Sequence, residues 1–140
     1  MKIDDTLLDE LTAQAKASPR LRMNYDLRTS PESDSQRMLN AIEPGSVIPI
    51  HRHMETTEMV VLVRGRAIQY HYDNEGNVTE EILLEAGGPC RMMIVEVGQW
   101  HRFQALESGT VIATAMDGRY QPTREEDVMR LGSKGSETLG

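Results

Sequence analysis

Residues 45–65 read GSVIPIHRHMETTEMVVLVRG, and residues 98–105 read GQWHRFQA. In both stretches histidines sit among short runs of apolar and β-branched residues, the pattern of strands rather than helices. Residues two apart on a strand point to one face, so His51 and His53 point together. These stretches hold three of the chain's four histidines. If His101 meets the pair, with Glu58 just downstream, one divalent ion can collect all four side chains. Neutral imidazole is the commonest metal ligand, and a carboxylate beside it adds affinity. Glu55 is the alternative carboxylate.

Outward from these stretches the chain continues as short apolar runs punctuated by turn residues. Strands are expected at 38–43, 47–53, 59–65, 67–72, 78–84, 91–96, 101–105 and 111–116. Glu43-Pro44-Gly45, Asp73 to Asn77 and Gly87-Gly88-Pro89 break the connections. Eight strands in a closed, edge-free antiparallel barrel is the economical arrangement. On the strand at 47–53, Val47 and Pro49 are expected to face inward with the histidines, and Ile48, Ile50 and Arg52 outward. In the next strand Glu58, Val60 and Leu62 alternate with Met59, Val61 and Val63, so both faces are apolar and the outer one needs a cover. Either an N-terminal helix or a second copy of the chain could provide it, and a homodimer is the preferred expectation.

Upstream, Leu7, Leu8, Leu11 and Ala15 fall at helical spacing, and Thr6 to Asp9 resembles a capping box. A helix over 6–16 is expected to end near Ser18-Pro19. The stretch from Arg20 to Ser35 shows no clear period and reads as an extended arm plus loop. The expected organisation is therefore a helix and arm over 1–35, a barrel over 36–120 and a partly ordered tail over 121–140.

Composition narrows the class of function. The 140 residues suit one domain, and a formal net charge of −7 without a compact Lys/Arg run argues against nucleic acid. No apolar run approaches a membrane span. One cysteine, Cys90, cannot form an internal bridge, and the start MKIDDTLLDE lacks the features of a secretory leader, so a cytoplasmic setting is expected. Burial rather than reactivity is the reading for Cys90.

The motif at 45–65 also carries a family resemblance. Gly45, five residues, His51-Arg52-His53, four residues, Glu58, six residues and Gly65 reproduces the first cupin motif without a spacing error. The second motif is partial: Gly98 and His101 keep their offset, but Glu96 stands where proline is usual and Ala105 where asparagine is usual. SPRLRMNY at 18–25, QRMLN at 36–40, Trp100-His101 and Gly118-Arg119-Tyr120 resemble the WbuC family of single-domain cupin metalloproteins. The resemblance runs from about Leu7 to Asp127. It implies an all-β jelly-roll (double-stranded β-helix) barrel with a short N-terminal α-helix, and His51, His53, Glu58 and His101 around one divalent ion. It further implies a family found among bacterial surface-polysaccharide gene sets.

Beyond the metal set, Arg20, Arg22, Asn24, Arg37 and Asn40 are candidates to receive an anionic group, since a guanidinium matches a carboxylate or phosphate in two-point contact. As exposed side chains they would be ordinary solvated charges. Trp100 either walls a pocket or fills core, and Phe103 and Tyr120 could line a binding site. His71 reads as an ordinary hydrogen-bonded histidine. Zinc, iron, manganese and nickel all suit such ligands. Because ligand imidazoles must be deprotonated, metal affinity is expected to fall below about pH 6. Three functions stand open: a metal-dependent enzyme on a small polar or carbohydrate-related metabolite, a non-catalytic metal-dependent binding or sensing module, and a disfavoured metal-free sugar epimerase.

Overall fold

In the computed structural model, which describes residues 1–130, the chain opens with helix α1 (Asp5–Ala17). Asp4 rather than Thr6 caps it, its carboxylate accepting from the Leu7 backbone N–H at 3.2 Å. That places an anion at the positive end of the helix dipole. The helix stops before Ser18-Pro19, as the proline requires.

Eight strands follow among the described residues: β1 (Arg22–Asp26), β2 (Ser35–Ile42), β3 (Glu58–Arg64), β4 (Arg66–Tyr72), β5 (Val78–Glu85), β6 (Met92–Val95), β7 (Trp100–Ala105) and β8 (Val111–Asp117). They form two antiparallel sheets, one ordered β1-β2-β8-β3-β6 and the other β5-β4-β7. This is a jelly roll, as expected, but its sheets have edges at β1, β6, β5 and β7 instead of one closed hydrogen-bonded ring. Two facing sheets bury their apolar faces against each other without closing the ladder.

Two elements depart from the expected strands. Arg22–Asp26, read as part of an arm, pairs along its whole length with β2. Its alternation of Met23 and Tyr25 with Arg22, Asn24 and Asp26 was a short strand signal. Conversely, 47–53 is not a regular strand: pairing there is confined to a bridge from His51 to His101 and another to Val128. Pro49 has no N–H to give a ladder, which breaks the run. Alternation fails with it. Val47 is exposed, while Ile48 packs against the main core and Ile50 is buried beside Tyr72 and Trp100.

The core between the sheets contains Ile42, Val60, Leu62, Ala67, Leu84, Val95, Phe103, Ala105 and Ile112. On the outer face of the larger sheet, Leu8, Leu11 and Ala15 of α1 cover Leu39, Ala41 and Val111, with Val63 packed alongside. Burying each leucine contributes about 1.5–3 kcal/mol. Arg64 ties helix to sheet, donating to Asp9 at 2.8 Å, Thr12 at 3.0 Å and the Gly109 carbonyl at 2.9 Å. Met59, Met92 and Ile94, farther along the same face, remain exposed.

Of the tail expected over 121–140, residues 131–140 lie outside the described residues. Before them a 3-10 turn, Glu125–Asp127, leads into Val128 and Met129, which pair with the 50–52 segment. No helix among the described residues is long and apolar enough to cross a membrane.

Candidate metal centre

His101 lies on β7 with its side chain turned between the sheets, and the backbone brings the other two histidines to it. His51 and His101 exchange both backbone hydrogen bonds, at 3.0 and 2.9 Å, and the Gly98 N–H donates to the His53 carbonyl at 2.8 Å. Gly98 has φ +79°, so the turn before β7 uses backbone geometry that side-chain-bearing residues disfavour. As a result the ring centres of His51 and His101 are 4.3 Å apart, and those of His53 lie 5.1 and 5.2 Å from them. One ligand nitrogen from each histidine falls within 4.8 Å of the others.

The tautomers are constrained. His51 Nδ1 sits 2.9 Å from the Pro49 carbonyl oxygen and His101 Nδ1 2.8 Å from that of Gln99. A carbonyl only accepts, so each Nδ1 carries the proton and each Nε2 keeps its lone pair for a ligand. The Nε2 atoms of His53 and His101 are buried without hydrogen-bond partners. Glu58, opening β3, places Oε1 3.3 Å from His101 Nε2 and 3.7 Å from His53 Nε2. Glu55 is exposed.

Electrostatics agree with this assembly. Burial lowers His51 from its ordinary 6.5 to about 3, with the neighbouring His101 adding to the effect. Burial alone would raise Glu58, but the imidazoles of His101 and His53 outweigh it and hold the carboxyl below the usual carboxylate range. At neutral pH His51 is thus neutral and Glu58 anionic. Three imidazoles, two of whose Nε2 atoms are buried without a hydrogen-bond partner, and a converging carboxylate match the donor set of a divalent transition-metal site.

A cavity of about 180 Å³ opens from this cluster, walled by both sheets. Of the residues expected at a ligand site, Arg22, Asn24, Asn40 and Phe103 line it together with His51, Glu58 and His101. Arg22 is anchored through Nη1 to the Val47 carbonyl at 2.7 Å, and burial lowers its pKa, with Arg20 contributing. The remaining candidates lie elsewhere. Arg20 is exposed just before the start of β1, and its carbonyl accepts from the Ser46 hydroxyl. Arg37 is exposed with the parity of Leu39, so it occupies the outer face, where it donates to Thr29 Oγ1. Its strand β2 is also separated from β3 by β8. Tyr120 is exposed under the Arg28 guanidinium. Trp100 packs with Ile50 and Tyr72 on the opposite face of β7 from His101, and its indole N–H donates to Asn74 Oδ1 at 3.0 Å.

Sequence reasoning missed Gln69, which is 1% exposed and lines the cavity from β4. Alternation with the apolar Ile68 and Tyr70 would have turned it outward, yet the buried face of β4 carries Ala67, Gln69 and His71. His71 is also closer to the centre than expected: it is buried, directly opposite His101 in the β4–β7 register, with Nδ1 3.7 Å from Glu80 Oε1.

Solved structures of similar shape agree on the architecture. KdgF from Halomonas sp. matches with TM-score 0.58 at 16% identity, over 74% of this chain and 84% of that one. Oxalate decarboxylase from Bacillus subtilis, described for its Mn(II) centres, matches with TM-score 0.55 at 21% identity over 79% of this chain. CapF, solved with the inhibitor 3-isopropenyl-tropolone, matches with TM-score 0.59 at 17% identity over 76% of this chain. The chain spans only 28% of that decarboxylase and 30% of CapF. These likenesses show the fold, a jelly roll of the kind found in those proteins. The chain belongs to the family described as a domain of unknown function, DUF6016, whose model matches residues 3–84. No curated protein matches it.

Proposed function

We propose that His51, His53, His101 and Glu58 hold one divalent metal ion, and that the chain is a metal-dependent enzyme acting on a small anionic, carbohydrate-related metabolite. The observation that carries this reading is the pair of buried, unpartnered Nε2 atoms of His53 and His101 facing Glu58, beside a cavity that Glu58, His101 and Arg22 line. Leaving such atoms without a partner costs about 1–3 kcal/mol each, a cost that coordination removes. The cavity is smaller than the roughly 300–1,000 Å³ of sites for drug-sized ligands, which favours a compact metabolite over an oligosaccharide.

When bound, the ion would supply Lewis-acid polarisation of a ligand oxygen. The chain's own groups do the rest. Arg22 receives the anionic group, Asn24 and Asn40 supply amides at the β1–β2 wall, and Phe103 excludes water from the inner end. Among zinc, iron, manganese and nickel, the Mn(II) centres of the similarly folded decarboxylase support manganese. The segments at 18–25, 36–40 and 118–120 support a WbuC-like placement and, with it, a role in surface-polysaccharide metabolism.

Elemental analysis of protein purified without added metal, set beside His53→Ala and His101→Ala, tests the site. One equivalent of metal per chain is expected in the parent and a loss in both variants; a parent that neither contains nor takes up a divalent ion rejects the proposal. Turnover of candidate sugar acids by the loaded protein separates an enzyme from a binding module.

A further inference from the structure

Gln69 sits where a strand interior ordinarily carries hydrocarbon. On the inner face of β4 it is flanked by Ala67 and His71, and its cross-strand partners are Phe103 on β7 and Ile82 on β5. Among these neighbours the amide nitrogen finds no partner: Nε2 is buried and makes no hydrogen bond. A buried unsatisfied donor costs stability, and an apolar residue of the same shape would remove that cost. The side chain lines the cavity with His51, Glu58 and His101, so a group entering there is within the amide's surroundings.

We infer that Gln69 is a specificity-determining residue that donates a hydrogen bond to a second oxygen of the bound ligand, selecting small acids that carry a hydroxyl or carbonyl oxygen beside the carboxylate. The inference rests on the metal-and-anion reading of the cavity. A primary amide Nε2 donates and cannot accept, so it favours an oxygen with a free lone pair. Being neutral, it demands no second negative charge, unlike an arginine in the same place. A ligand lacking that oxygen leaves the donor buried and unpaired, and sites built to hydrogen-bond a substrate oxygen discriminate strongly on that ground.

Lactate and propionate differ by one hydroxyl, which makes them the probes. Cobalt(II)-loaded protein is titrated with each, the visible absorption of the metal reporting binding, in the parent and in Gln69→Met. The preference for lactate over propionate should fall about five- to tenfold in the variant, with cobalt content unchanged and the melting temperature of the metal-free variant equal or higher. An unchanged preference overturns the inference while leaving the metal site standing. So does a clear drop in the melting temperature of the metal-free variant, because the amide would then have a structural partner, or failure of the cobalt protein to bind either acid. Failure of the parent to take up cobalt removes the metal reading itself. If Gln69→Met does not fold, Gln69→Leu carries the same comparison.

Discussion

Arg52, the residue between two histidines of the cluster, donates from Nε to Asp127 Oδ1 at 2.9 Å. The same guanidinium lies 4.4 Å from the centre of the Trp100 ring, next to the third histidine. Backbone bonds run in parallel: the Arg52 N–H donates to the Asp127 carbonyl at 3.0 Å, and the Met129 N–H to that of Ile50 at 2.8 Å. The segment bearing His51 and His53 is therefore held from one side by β7 and from the other by residues near the C-terminus.

Asp127→Ala should loosen that segment without touching a ligand atom. Asp127 is buried, and although burial pushes its pKa up, hydrogen bonds from Arg52 and Arg124 outweigh this and keep it ionised. Partners that orient metal ligands typically contribute 10–100-fold in affinity. Competition against a chromophoric chelator should show metal binding weakened by about that factor. Unchanged affinity would mean that β7 alone positions the histidines.

Acid should destabilise the metal-free protein well before its other carboxylates titrate. In the unfolded chain His51 takes up a proton near its ordinary 6.5, whereas burial delays this in the fold to about 3. Between those values unfolding binds a proton, so stability falls as pH falls, by at most about 1.4 kcal/mol per pH unit from this group. Glu58, depressed in the fold, adds loss in the same direction below its ordinary 4.5. Chemical denaturation of metal-free protein at pH 7, 6 and 5 measures the slope, and His51→Gln should flatten it.

Leu11→Ala addresses the helix. The side chain is 2% exposed against the outer sheet face. Truncation should cost about 2–5 kcal/mol while leaving metal content unchanged. Loss of metal in a folded Leu11→Ala protein would show that α1 shapes the centre as well as covering the sheet.

Gly65→Ala should be among the most damaging small substitutions. Gly65 has φ +93°, and an added Cβ would come within 2.7 Å of the Thr110 backbone. Strain of this kind costs about 1–3 kcal/mol before the clash is counted. A melting temperature within 2 °C of the parent, on the order of 0.5 kcal/mol, would contradict the tight β3–β4 turn.

Much of the strand plan was legible because alternating apolar residues and turn-forming glycines are local signals. Gly45, Gly65 and Gly98, spaced as in the cupin motifs, all have positive φ, so those motif positions record backbone geometry. The run at 47–53 misled, since its β-branched residues suggested a ladder that Pro49 interrupts. Arg37 was placed near the ligand because sequence proximity does not reveal strand order. Gln69 went unremarked because an isolated glutamine carries no motif, and its burial depends on residues from β5 and β7.

By itself the sequence determined an antiparallel β architecture, the spacing of His51, His53 and Glu58, and the glycine turns that frame them, since each follows from local residue order and dihedral preference. Only the tertiary structure decided which arginine faces the cavity, which carboxylate joins the histidines, and that a segment near the C-terminus supports them. These depend on strand order and on contacts between residues as distant as Arg52 and Asp127, and no local preference encodes which distant groups share one enclosed space.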